Sequence, residues 1–215
     1  MTDAWLHNPA TGEIARTAAE VGGRHVEAEL WLQPGAAVAR AHVHDHFVER
    51  FEVLDGEVAF ERAGEAGVVR PGDGVIEVPA GTVHDWWNAG DGPARVRVEV
   101  TATPDAPGEP AARFVSMIEA MWSLGALGHV DGRGAPKPLW LAAVAREYDD
   151  VIRFVKPPRP VQVLLLGPLA VVARRTGKDP LAPELHGPTA ACAIADPGES
   201  GLAELLARPV SVRRH

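Results

Sequence analysis

The sequence predicts a mainly β protein, a sandwich or barrel of short strands, followed by an α-helical region. Three observations predict it. Between Arg24 and Thr103 the chain reads as short alternating segments divided by Gly and Pro turns, the mark of an antiparallel sandwich or barrel. The stretch from Thr103 to Pro110 contains Pro104, Pro107, Gly108 and Pro110, which cannot continue a strand. Beyond it, apolar residues recur at helical spacing. The expected organisation is therefore a β-barrel with an N-terminal strand segment over residues 1–103, a linker over 104–110, and a helical extension over 111–215. That extension would pack on the barrel or in a dimer interface.

The elements follow in order. Val26, Ala28, Leu30 and Leu32 alternate with His25, Glu27, Glu29 and Trp31, the period of a half-buried strand, and Pro34-Gly35 turns the chain. Ala36, Val38, Arg40, His42 and His44 share one parity, so the next strand is expected to project both histidines from one face. Glu49, Phe51 and Val53 share a parity up to the Asp55-Gly56 turn, and Val58 and Phe60 continue the pattern beyond it. Pro71 to Gly74 forms a turn, Val75 to Val78 a short strand, and Pro79-Ala80-Gly81 a corner. Val96, Val98 and Val100 alternate with Arg95, Arg97 and Glu99 in the clearest strand of all. After the linker, Phe114, Ile118, Met121 and Trp122 predict one amphipathic helix. Leu141, Val144, Ala145, Tyr148 and Ile152 predict a second, opened by Pro138 and closed by Pro157-Pro158. Val161 to Ala173 is apolar nearly all round, which predicts a third, buried helix interrupted by Pro168, and a short helix is expected around Leu202 to Leu206.

Composition narrows the function classes. A net charge of -8 with scattered Lys and Arg argues against a nucleic-acid partner. Apolar residues make up 46% of the chain, enough for a core, yet no run is long enough to span a bilayer and no leader pattern is seen, so a cytoplasmic location is expected. Cys192 is the single cysteine, read as a small buried hydrophobe.

The chemistry concentrates in His42-Val43-His44, Glu49 and His84. Two histidines two apart on a strand can chelate one ion, Glu49 adds an anionic oxygen, and His84 closes the set after the Pro-Gly corner. Such a set suits one divalent transition metal per chain (iron, manganese, nickel, copper or zinc) and leaves coordination positions for substrate. The motif has no second copy. Arg40, of the same parity as His42, is a candidate to hold a substrate carboxylate at the barrel mouth. Phe51, Phe60 and Trp86, with its neighbour Trp87, suggest an aromatic pocket for a small molecule.

The run Gly35, His42, His44, Glu49, Gly56 resembles the first motif of the cupin superfamily. Gly72-Asp73, Pro79, Gly81, His84 and Asn88 resemble the second. One interval departs from the pattern: the glycine stands one residue further from His42 than usual. The resemblance covers residues 24 to 103 and implies an antiparallel jelly-roll barrel with the metal inside its mouth. It assigns ligand roles to His42, His44, Glu49 and His84, and leaves His46 outside the pattern. It also implies a homodimer joined through barrel edges.

Three function classes remain open. The foremost is a metal-dependent oxygenase of the quercetin-dioxygenase-like kind, with Glu49 as ligand and proton acceptor. The second is a non-oxidative isomerase, lyase or decarboxylase, and the third a non-catalytic small-molecule binding module. An epimerase is disfavoured because Tyr148, the single tyrosine, lies in the helical half. For the helical half itself, burial within the protein or in a homodimer is expected ahead of membrane contact, and a lid over the metal pocket comes last.

Overall fold

The computed structural model describes residues 2–19, 23–37 and 39–208. The chain runs through β1 (Thr2–Asn8), β2 (Glu13–Ala19), β3 (His25–Leu32), β4 (His42–Val43), β5 (Phe47–Asp55), β6 (Val58–Arg62), β7 (Glu65–Val69), β8 (Val75–Val78), β9 (His84–Asn88) and β10 (Ala94–Ala102). Helices α1 (Pro110–Ala126) and α2 (Pro138–Glu147) follow, then β11 (Arg153–Phe154), α3 (Arg159–Arg175), β12 (Ala193–Ile194) and α4 (Gly198–Leu206). All pairings are antiparallel. One sheet has the order β12-β1-β2-β3-β10-β5-β8, the other β11-β4-β9-β6-β7. Together they form an antiparallel jelly roll, with the helices in the C-terminal part.

Alternation explains the core. In β10, Ala94, Val96, Val98, Val100 and Ala102 are buried while Arg95, Arg97 and Thr101 face solvent. β5 buries Phe47, Glu49, Phe51 and Val53 in the same way, so a carboxylate enters the barrel at a position alternation reserves for apolar groups. Removing a charged group from water is costly unless it is paired, and Glu49 is paired. Gly56, at φ +80°, turns the chain from β5 to β6; a Cβ there would lie 2.9 Å from the Cα of Ala94.

Three expectations need correction. The strand expected from Ala36 through His44 is only His42–Val43, and Val38 lies outside the described residues. Before it, the Ala36 N–H turns back to the Gln33 carbonyl, and the Asn88 N–H donates to the Ala36 carbonyl, so residues 33–37 clasp the end of β9 rather than extend β4. The second helix stops at Glu147, not Ile152. Arg113 of α1 donates to Glu147 and Asp150, Arg159 donates to Asp149, and the chain turns there to enter β11. The third helix is not buried within the chain: it packs along α2 and buries Gln162, Ala170 and Ala173, while Leu164 is 73% and Val163 63% exposed. Apolar composition all round predicted burial, but α3 packs along α2 on one side and, among the described residues, its outer face is left exposed.

α1 lies against β1, β2, β3 and β10, with Phe114, Met117 and Trp122 buried. α1 therefore covers one side of the barrel, and β11 pairs with β4 next to His42.

Candidate metal centre

Local geometry brings the four residues together from three places. His42 and His84 are directly paired across β4 and β9, Glu49 projects inward from β5, and His44 follows β4 as the chain leaves the sheet. Their ligand atoms all lie within 4.8 Å of one another, and each residue is between 2% and 4% exposed. His42 Nε2 is 3.1 Å from His44 Nε2. Glu49 Oε2 is 2.8 Å from His84 Nε2 and 3.8 Å from His44 Nε2.

The outer nitrogens decide which atoms face inward. His42 Nδ1 lies 2.7 Å from the Arg40 carbonyl, His44 Nδ1 2.7 Å from the Val151 carbonyl, and His84 Nδ1 3.0 Å from the Thr82 carbonyl. A carbonyl only accepts, so each Nδ1 carries a proton; the Nε2 atoms of His42 and His44 then present lone pairs to the centre, while His84 Nε2 donates to Glu49 Oε2 and would give up that proton to a bound metal. Hydrogen bonds of this kind fix the orientation of imidazoles that ligate metals. Glu49 is held the same way: Trp86 Nε1–H donates to Oε1 over 3.1 Å, leaving Oε2 turned to the imidazoles.

Electrostatics agrees with the geometry. Burial, reinforced by the neighbouring imidazoles, pushes His42 well below the usual histidine range, and burial lowers His44 too. Burial also works against charge on His84, but its hydrogen bond to Glu49 and the carboxylate charge outweigh it and raise His84. Burial would raise Glu49; the hydrogen bond from His84 and the charges of the three imidazoles overcome it and bring Glu49 down to about 2. With His42 neutral, two bare lone pairs face each other at the 3.1 Å separation of His42 and His44. That contact is repulsive until a cation sits between them. Three nitrogen donors and one carboxylate oxygen in a buried cluster therefore fit a divalent transition metal ion.

His42, His44 and Glu49 of the cluster line a cavity of about 70 Å³ whose remaining wall is almost wholly apolar; His84 stands behind them. Trp86 lines it. Phe51 and Phe60 do not: Phe51 stacks under Trp86 with ring centroids 5.2 Å apart, and Phe60 packs edge-on to Phe51 in the core. Arg40 is exposed; its side chain borders a second chamber rather than the metal cavity, because the chain bends at residues 39–41 where a continuous strand was expected. His46 faces away from the cluster, with Nδ1 3.6 Å from Asp105 Oδ2. Trp87, next to Trp86, is half-buried on the opposite parity of β9.

Several contributors were not legible as site residues. Phe114, Met117, Ile118, Met121 and Trp122 of α1 close the cavity, and Phe154 of β11 joins them. The apolar stripe of α1 was evident in the sequence, but its destination was not. The Val151 carbonyl, which orients His44, leaves no signal in a side-chain pattern.

Residues 29–101 match the family model described as Cupin domain. A stretch of 43 residues is 46% identical to Oxidoreductase OpS7 of Beauveria bassiana (strain ARSEF 2860), covering 20% of this chain and 14% of that protein. The chain thus spans a small part of the curated relative's length. Among solved structures, a sugar phosphate isomerase of the cupin superfamily from Silicibacter pomeroyi is 27% identical over 45% of this chain and 63% of its own, with a TM-score of 0.39. A predicted oxalate decarboxylase from Thermotoga maritima is 22% identical over 47% of this chain and 93% of its own, with a TM-score of 0.38.

Proposed function

We propose, from the premise that residues 29–101 form a cupin domain, that the protein is a metal-dependent, dioxygenase-like enzyme acting on a small organic molecule. One observation carries this reading: three imidazole Nε2 atoms and one carboxylate oxygen converge, each oriented from behind by its own hydrogen bond, at the end of a covered apolar cavity. A structural metal site has no use for such a cavity, whereas a catalytic one needs open coordination and shelter from water. The match to a curated oxidoreductase supports the oxidative branch.

His42, His44, Glu49 and His84 would hold the ion, which when bound supplies a Lewis-acid and redox centre beside the substrate. The rest falls to the chain. Glu49 is the one carboxylate lining the cavity among the described residues, and it takes the proton from a substrate hydroxyl arriving at the cluster. Trp86 keeps Glu49 aimed and offers its ring as cavity wall. The α1 side chains exclude water and press an apolar substrate toward the imidazoles.

The test is elemental analysis of untagged protein purified without chelator, followed by oxygen uptake with phenolic and diketone substrates. Near-stoichiometric iron, manganese, nickel or copper with substrate-dependent uptake is expected. His84→Ala should cut bound metal at least tenfold while the barrel stays folded by circular dichroism. Metal content unchanged in that variant would overturn the ligand assignment, and zinc without oxygen uptake would move the chemistry to a non-oxidative reaction.

A further inference from the structure

Beside the metal cavity lies an outer chamber of about 370 Å³, walled by α2, α3, β11 and the loop before α2. The two spaces share a partition: Ala39, Met121 and Phe154 contribute to both linings. Ala39 adds only a methyl group, which leaves Met121 and Phe154 as its bulk. Phe154 is directly paired with His42 across β11 and β4, so it closes the partition beside the cluster. Met121 stands further along. α1 passes the cluster with Phe114, whose ring centroid lies 5.5 Å from that of His44. Met121 follows two helical turns later, about 10 Å along the axis. Met117, one turn before Met121, lines the metal cavity alone. Charge is confined to the cluster: no other side chain lining the cavity, among the described residues, is ionisable, and the Thr17 hydroxyl donates to the Ala4 carbonyl.

We propose that Met121 is the stop that sets how long a substrate the metal cavity accepts. The substrate is an uncharged molecule with its polar group at the cluster end and a hydrocarbon tail lying along α1. The inference rests on the enzymatic reading above and adds to it the substrate class and the residue that measures it. A charge at the tail end would be buried without a partner. A hydrocarbon tail gains buried apolar surface with each carbon until it meets Met121, where a close-packed wall leaves the next carbon no room. The chain's methionines besides Met1 are Met117 and Met121, and both line this cavity. An unbranched thioether suits the irregular gap between a helix and a barrel. Truncating Met121 joins the cavity to the outer chamber, whose wall includes Leu141, Ala145 and Leu166, whereas truncating Met117 only widens the cavity.

The experiment is isothermal titration calorimetry with a series of phenols from 4-methylphenol to 4-octylphenol, on the protein as purified and on chelator-treated protein. Affinity is expected to rise about fourfold per added carbon and then to fall at least tenfold once the tail exceeds the cavity. In Met121→Ala that fall should move to tails at least two carbons longer. Met121→Val, a milder truncation, should move it the same way by at least one carbon, so the result does not hang on the folding of one variant. Met117→Ala should move it by no more than one carbon. On chelator-treated protein, 4-hydroxybenzoate should bind at least tenfold more weakly than 4-methylphenol. No binding of any member, no fall in the wild-type series, a fall that both Met121 variants leave in place, or equal affinity for 4-hydroxybenzoate would overturn the proposal. A length limit that moves with Met121 in a protein that takes up no metal would sink the enzymatic reading and leave the stop standing. Metal uptake and substrate-dependent oxygen uptake with an unmoved limit would do the reverse.

Discussion

Trp86 shows how much one side chain decides in this site. Its indole N–H fixes Glu49 Oε1, and its ring stacks on Phe51 at an interplanar angle of 18°. Trp86→Phe keeps most of the stacking and removes the donor, so the carboxylate loses its aim. Changing such an outer partner typically costs 10- to 100-fold in metal affinity. A loss in that range is expected from competition with a chelator of known affinity, and affinity within twofold of wild type would show that Glu49 is held by other means. Cys192 makes the opposite case, a titratable group with a structural task. It is 1% exposed, its N–H bonds Ser123 Oγ, and burial pushes its thiol up to about 11. It should resist thiol reagents at pH 8 until the protein is unfolded. The sign of its effect on stability follows. From roughly pH 9 upward the unfolded thiol ionises while the folded one stays protonated, so the folded state loses ground as pH rises. The stability gap between wild type and Cys192→Ala, measured in urea, should therefore shrink between pH 8 and pH 10.

Among the elements, the turn between β5 and β6 is the most constrained. Gly56 combines a left-handed backbone with backbone atoms of Ala94 2.9 Å from where a Cβ would stand. Gly56→Ala thus meets conformational strain and a close contact that no rotamer relieves. A loss of about 1 to 3 kcal/mol is expected from urea denaturation, and the register that delivers Glu49 into the barrel would loosen with it. The turn was evident in the sequence as Asp55-Gly56, and so were β3, β5 and β10, because period-2 alternation states both the element and its inward face. β4 was less legible. Its two residues, His42–Val43, are set by hydrogen bonds between residues 33–37 and the distant end of β9, which no local pattern reports. α2 was overextended for a related reason: Tyr148 and Ile152 keep helical spacing and are buried, but the helix ends at Glu147, before both, where Arg113 and Arg159 pair with Glu147, Asp149 and Asp150.

For the whole molecule, α3 presents the exposed apolar surface. Val161, Val163, Leu164, Leu165, Val171 and Val172 are exposed along one helix, a larger apolar display than a monomer usually carries. No helix among the described residues is long and apolar enough to cross a membrane, and a net charge of -8 disfavours an anionic lipid surface. A second copy of the chain is the expected cover. Light scattering should give twice the chain mass of 22.8 kDa, falling to the monomer in Leu164→Asp; a wild-type monomer would refute this. The sequence by itself determined the barrel, its turns and the residue types of the buried His/Glu cluster, because alternation and motif spacing are local properties of the chain. Tertiary structure alone decided that α1 roofs the metal cavity, that the Val151 carbonyl steers His44, that Arg40 turns to the outer chamber, and that α3 stays uncovered. Each of these depends on which distant segment fills the space beside an element, and an apolar stripe states only that a partner is needed, not which one it meets.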